Sequence, residues 1–334
     1  MFKEGYKFFE QSLKNEELAF YRRCYLAIKN RQISITFDFK LININRAKEI
    51  IKYVYEDNPS FFYLSPYKLS YVNNKQIYFN YLYDKTTTLN YENQIKKTLM
   101  HFFDDYQILK LPKYNQILIF HNCISSLANY DQIVSSGGSG KDEDYNIIGF
   151  FQGKVAVCYG FSLVFKLLCD YSGINCLVIR GKTKGNHAWN MVEYDGGFYH
   201  IDTTWDLLED HNDGKLGIYK FFMVDDLWIK KSRTINAIAN YPKSYGLQYT
   251  YYVRNKYMIN DISNLSQYFY ERLKEYPNEI IVYVTDKRLN WEIINHSYKK
   301  ASDKFRRLNN YNFKGKCDKY WSSKYGIVRI ILGG

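Results

Sequence analysis

The sequence predicts an α+β chain, with a helix that begins at a cysteine followed by strands bearing a histidine and an aspartate, and a small α+β unit on either side. Three observations carry this expectation. Ile33, Ile35, Phe37 and Phe39 alternate with polar residues, the period of a strand with one buried face. From about Asn90 the apolar period becomes helical. Between two later apolar runs stands Asp195-Gly196, a dipeptide favoured in two-residue type I′ hairpins.

Taken in order, Asn45 can cap a short helix carrying Ala47, Ile50, Ile51 and Val54, which Asn58-Pro59 ends. Leu69–Val72 and Ile77–Tyr83 flank Asn73-Asn74 and read as a hairpin. Ile95, Leu99 and Phe102 begin the helical stretch, and Ile117, Phe120, Ile124 and Leu127 continue it at i, i+3, i+7 and i+10. SSGGSGKDED, from Ser135 to Asp144, is rich in glycine and charge and is expected to be a mobile surface loop. Further on, Ile280–Val284 reads as a strand, and Ile294, Tyr298, Ala301, Phe305 and Leu308 form a helical stripe. The boundaries that follow are residues 1–94, an N-terminal accessory unit; 95–235, the segment holding the chemistry; and 236–334, a basic C-terminal unit.

Composition narrows the classes. A chain of 334 residues with 46% hydrophobic residues can bury sizeable cores, which excludes a disulfide-stapled miniprotein or a disordered tail. The six cysteines contain no CxxC pair and no histidines stand at i, i+4 metal-ligand spacing, so no metal or cofactor is expected. The formal charge of +12 raises anionic partners. Between Lys299 and Arg329, ten Lys and Arg face two Asp, so +8 of the excess belongs to the C-terminal unit, where a docking surface for an anionic polymer or surface is expected. No helix-turn-helix, RRM or KH signature accompanies it, so no specific nucleic acid is expected. MFKEGYKFFEQSLKNEELAF lacks the apolar core of a signal peptide, and no apolar run has the roughly 18–20 residues of a transmembrane helix. As it stands the sequence is expected to be cytoplasmic, and extracellular if a leader precedes it.

The segment GKVAVCYGFSLVFKLLCDYSG has a glycine-punctuated start, an apolar face of Phe161, Val164, Phe165 and Leu168, and Gly173 as a C-cap. Cys158 therefore falls at the first turn of a helix, where unpaired N–H groups and the macrodipole favour a thiolate. Cys169 lacks that position and reads as core. If Asp195-Gly196 is a two-residue turn, Asp202 lies opposite Trp189 and diagonal to His187 on the same face, roughly 7–8 Å away at the backbone. A three-residue turn would send it to the other face. Cys158 can then attack a carbonyl carbon, His187 can hold and pass the proton, and Asp202 can orient the imidazole. His200 shares that face and is the second candidate base. The Cys158 N–H is one oxyanion donor and Gln152 a candidate for the other.

GKVAVCYGFS followed by NHAWNMVEYDGGFYHIDTTWD resembles the core of the bacterial transglutaminase-like superfamily, papain-like cysteine enzymes whose triad runs Cys, His, Asp. His121-Asn122, Tyr130-Asp131 and the segment Tyr219–Asp225 extend the resemblance over roughly residues 95–235. It implies a papain-like, transglutaminase-type core in which Cys158, His187 and Asp202 are nucleophile, base and orienting acid, while Trp189, Asn190 and Trp205 line or brace the site. Many relatives carry an aromatic residue where this chain has Ile148 before Gly149, so Gln152, Tyr145 or Tyr159 would have to supply the second oxyanion donor.

The expected function is cysteine-dependent acyl transfer through a thioester on peptide or glutamine-type amides. A cysteine peptidase or amidase is favoured over a crosslinking transglutaminase, because water needs no second binding site and an amine does. The competing reading is a catalytically inactive transglutaminase-like scaffold that binds a peptide or polymer.

Overall fold

The computed structural model describes residues 2–38, 40–72, 76–135, 137–211, 219–237, 239–275, 277–309 and 317–332, and its architecture is mixed α+β. Two compact units emerge, one of residues 2–204 with 232–244, the other of residues 205–231 with 245–332. The sequence reading expects divisions at residues 94 and 235, whereas this clustering groups residues 2–94 with the cysteine-bearing segment, to which their buried groups are paired.

The first unit opens with helices α1 (Phe8–Ser12) and α2 (Asn15–Lys29), strand β1 (Ser34–Thr36) and helix α3 (Ile44–Asp57). The N-cap of α3 is Asn43 and not the expected Asn45; its Oδ1 accepts from the Arg46 N–H at 3.0 Å. The hairpin of β2 (Ser70–Val72) and β3 (Gln76–Tyr78) pairs with β1 in a three-stranded antiparallel sheet, while Asn73-Asn74 and Phe39 lie outside the described residues. Helices α4 (Lys85–Asp105) and α5 (Lys113–Leu127) follow, with Ile95, Leu99, Ile117, Phe120 and Ile124 buried as their periods require. Phe103, rather than Phe102, joins that core.

Next come β4 (Asn129–Tyr130), a single turn α6 (Gln132–Ser135), β5 (Val155–Ala156), which pairs parallel with β4, and helix α7 (Cys158–Ser172). The stretch expected to be a mobile loop ends in a 3-10 turn from Asp142 to Tyr145. Its buried Asp144 accepts the Lys141 N–H through Oδ2 at 2.8 Å and the Val157 N–H through its carbonyl at 2.9 Å.

Helix α7 is covered well beyond the apolar face of Phe161, Val164, Phe165 and Leu168. It is buried nearly all round, Lys166 and Asp170 included, and packs against α5 and the strands β6 (Cys176–Lys182) and β7 (Asn186–Tyr194). Its two charges are tolerated because they pair at 2.9 Å, with Lys166 Nζ also donating to the Tyr6 carbonyl at 2.8 Å. Gly173 at φ +64° ends the helix.

Gly160 lets the start of α7 reach the 142–146 turn. A Cβ there would stand 2.5 Å from the Asp144 carbonyl oxygen and 3.0 Å from that of Asn146, both fixed backbone. Gly160→Ala should therefore cost about 1–3 kcal/mol, read as a lower urea midpoint; an unchanged midpoint would show that the turn yields freely.

β7 and β8 (Gly197–Ile201) form the expected hairpin, Tyr194 opposite Gly197, with Asp195 at φ +51° and Gly196 at φ +75° as a type I′ turn demands. Residues 232–244 return to this unit and supply β10 (Thr234–Ile235), antiparallel to β6. Within the unit the strands therefore run β10-β6-β7-β8, all antiparallel.

The second unit takes up most of α8 (Thr203–His211), followed by β9 (Phe222–Val224), α9 (Asp226–Ile229), α10 (Tyr251–Arg254), β11 (Met258–Ile259) and α11 (Leu265–Leu273). β12 (Glu279–Val284), α12 (Trp291–Asn309), β13 (Cys317–Ser322) and β14 (Ile327–Leu332) complete it. A four-stranded sheet, β11-β12-β14-β13, packs against α11 and α12 around Phe269, Leu273, Ile294, Ala301 and Phe305. The helical stripe of α12 holds except at Leu308, which is exposed in the last turn. Among the described residues no helix is long and apolar enough to cross a membrane.

Candidate active site

Cys158 is the first residue of α7, preceded by the extended Val157, so its N–H falls among those left without an intrahelical acceptor. The residue is half-buried and lines a cavity of about 800 Å³. His187 is the second residue of β7 and lines the same cavity, opposite Gly181 of β6. Asp202 follows β8 directly and is fully buried. With the two-residue turn in place, the hairpin register sets Asp202 diagonal to His187, and its Oδ2 accepts from His187 Nε2 at 2.7 Å. Nδ1 is then the ring nitrogen left for the thiol, and the Cys158 side chain is hydrogen-bonded to His187.

The electrostatics follow from this contact. Burial alone would push the Cys158 thiol up, but the hydrogen bond and charge of His187, with the Ala188 backbone N–H, outweigh it and hold the thiol below its ordinary value. For His187, burial disfavours the imidazolium, yet the Asp202 charge and hydrogen bond, joined by Cys158, push it up to about 9. Each group thus favours the charged form of the other.

The remaining expected site residues sort by where their polar atoms go. Trp189 is buried beneath His187, its ring stacked 5.7 Å away at 19°, and its Nε1–H donates to His200 Nδ1 at 3.0 Å. His200 is therefore a structural acceptor and not the base. Asn190 braces α7 to the sheet, Nδ2 donating to the Ser162 carbonyl at 3.0 Å. Gln152 is exposed and its Nε2 donates to Gln94 Oε1 at 3.0 Å; absent from the cavity lining, it is withdrawn as oxyanion donor. Trp205 belongs to the second unit, where its ring meets Phe221 edge-on at 6.4 Å, and it is likewise not part of the cavity lining. Tyr159 spends its hydroxyl on Glu56 Oε1 at 3.0 Å. Tyr145 does line the cavity.

Three groups were not identified as site residues from the sequence. Tyr130, placed by the β4–β5 pairing, takes the Cys158 backbone N–H on its hydroxyl and is hydrogen-bonded to the thiol side chain as well. Burial first, and the adjacent thiol second, raise its pKa. Arg233 sits just before β10, fully buried, with Nη2 3.0 Å from Asp202 Oδ2. Arg180, which lines the cavity together with Glu49, holds Glu49 and Glu56, its Nε standing 2.7 Å from Glu56 Oε1. Burial pushes Glu56 up to about 7 despite this arginine. Tyr130-Asp131 already stood within the family resemblance; nothing in the local pattern marks Arg233 or Glu56. Among the described residues no three His, Cys, Asp or Glu are placed to hold a metal ion.

No family model matches the chain. A stretch of 61 residues is 30% identical to the Kyphoscoliosis peptidase of Homo sapiens and, equally, to that of Mus musculus, amounting to 14% of this chain and only 9% of each relative's length. A solved crystal structure of a TGase is similar over 42% of this chain and 43% of that one, at 18% sequence identity and a TM-score of 0.30. Both similarities are partial, and the chain spans about a tenth of the length of the curated relatives it matches.

Proposed function

We propose that the chain is a papain-like, transglutaminase-type cysteine enzyme that transfers acyl groups of peptide or glutamine-type amides through a thioester, with hydrolysis favoured over amine crosslinking. The observation that carries this reading is the continuous hydrogen-bonded chain Cys158–His187–Asp202 at the wall of a substrate-sized cavity. The Cys158 sulfur adds to the amide carbon, and the Cys158 N–H, held by the Tyr130 hydroxyl in the resting site, turns to the oxyanion that forms. Collapse breaks the C–N bond as His187 passes its Nδ1 proton to the leaving amine, giving the thioester. Water, deprotonated by the now neutral His187, then releases the acid and restores the thiol. The outward basic residues of α12, among them Lys299, Lys300, Arg306 and Arg307, support docking of an anionic polymer or surface on the second unit.

Two measurements test the reaction. Acid-quenched enzyme mixed with glutamine-containing peptides should carry an acyl adduct on the peptide holding Cys158, and competition between water and a primary amine reads the partition. Turnover should follow a bell in pH. It should rise below the ordinary thiol range as Cys158 ionises and fall near pH 9 as His187 loses its proton. A Cys158 that alkylates with the pH dependence of a free thiol and forms no adduct would overturn the proposal in favour of a binding scaffold.

A further inference from the structure

Asp202 Oδ2 stands between two cation-forming groups, His187 Nε2 at 2.7 Å and Arg233 Nη2 at 3.0 Å, and both the arginine and the aspartate side chains are fully buried. A buried arginine is costly unless paired, and here its partner is the carboxylate that orients the base. Arg233 is also built into the support of the imidazole. Its guanidinium carbon lies 5.7 Å from the Trp189 ring centroid, and that ring stacks under His187. The backbone makes room for this segment at Gly181, where a Cβ would collide with the Thr234 carbonyl oxygen of β10 and with the Trp189 ring.

We propose that Arg233 is a positioning residue that holds Asp202 as an oriented anion and sets the pH range over which Cys158 and His187 carry opposite charges. The inference rests on the acyl-transfer reading of the site. An arginine stays charged at any working pH. Its charge beside Asp202 offsets part of the field that the carboxylate exerts on His187, and it favours the thiolate beyond. Other titratable or charged groups around the pair include Tyr67, Tyr130 and Tyr145 on the thiol side, Arg180 and Lys182 from β6, and His200 behind Trp189. Arg233 shares the Asp202 oxygen directly with His187.

Removing the positive charge should raise both the Cys158 and the His187 titrations. In Arg233→Gln, which keeps an N–H donor toward Asp202, both limbs of the pH profile should move up by about one pH unit, whereas Arg233→Lys, which keeps the charge, should stay close to the wild-type profile. The readout is the rate of Cys158 alkylation by iodoacetamide against pH, followed on the Cys158 peptide by mass spectrometry, with circular dichroism to verify folding. A purely structural arginine would lower stability in both variants and leave the profiles in place. Wild-type alkylation at an ordinary thiol pH would defeat the reading of the site itself. A depressed wild-type profile that Arg233→Gln leaves unmoved, or that both variants shift equally, would defeat the role of Arg233 alone. If Arg233→Gln does not fold, a shift of the Arg233→Lys profile away from wild type by as much as one unit overturns it as well.

Discussion

Cys158→Ala is expected to abolish labelling by an amide-mimicking, thiol-directed electrophile and to reduce acyl transfer by at least about 10³-fold, while the protein stays folded. Five other cysteines are present, and their surroundings disfavour them as nucleophiles or leave them without activation. Cys24, Cys169 and Cys176 are buried, and burial pushes the thiols of Cys24 and Cys169 well up. Cys123 is driven up to about 11 by burial, only partly relieved by Lys154. Cys317 is half-buried in the second unit. Cys158 alone combines access to the cavity, a helix N-terminus and a lowered pKa. The variant removes a half-buried sulfur, so its urea midpoint should stay close to wild type. Labelling of Cys158→Ala equal to that of the wild type would remove the cysteine from the mechanism altogether.

Arg180→Met should destabilise the first unit by about 3–5 kcal/mol at neutral to alkaline pH, because it leaves Glu49 and Glu56 without the guanidinium that pairs both. The Tyr159 hydroxyl on Glu56 cannot replace a cation. The loss has a definite pH sign. Glu56 already titrates at about 7 in the folded protein against an ordinary value of 4.5, so the folded state binds its proton more tightly than the unfolded chain does. Stability from this group is therefore greatest in acid and declines as pH rises from 4.5 through 7. Without Arg180 the folded value climbs further, and the penalty should be small at pH 5 and large at pH 8. Urea denaturation of both proteins at the two pH values measures this; an equal loss at both would mean that Arg180 contributes packing and not charge. Because Arg180 also lines the cavity, the variant should reshape the wall facing Cys158 even where it remains folded.

This cluster ties residues of the N-terminal segment to the cysteine-bearing one in a way no local signal marks. Composition and period mark residues 1–94 as a self-contained α+β run, and those signals are local. Glu56 of α3, Tyr159 of α7 and Arg180 of β6 become one buried group only when the chain is folded, and burying any of them alone would be prohibitive. The same holds for the polar groups beside the Cys158 thiol. Gln152 stands close to Cys158 in sequence but turns outward to Gln94, whereas Tyr130 reaches the thiol through pairing of β4 with β5.

What the sequence determined by itself is whatever short-range chemistry specifies. A glycine C-cap and an apolar stripe define the helix, so Cys158 was placed at its N-terminus by adjacent residues. Asp195-Gly196 dictates a type I′ turn, and with side chains alternating every residue the turn alone decides that Asp202 shares a face with His187. Tertiary structure decided what surrounds them: that α7 is buried nearly all round, that Arg233 returns on a distant segment to pair with Asp202, and that Glu49, Tyr55 and Tyr67 wall the cavity. Those placements are set by the cost of burying charge and by packing between segments far apart in the chain, and neither leaves a period in the sequence.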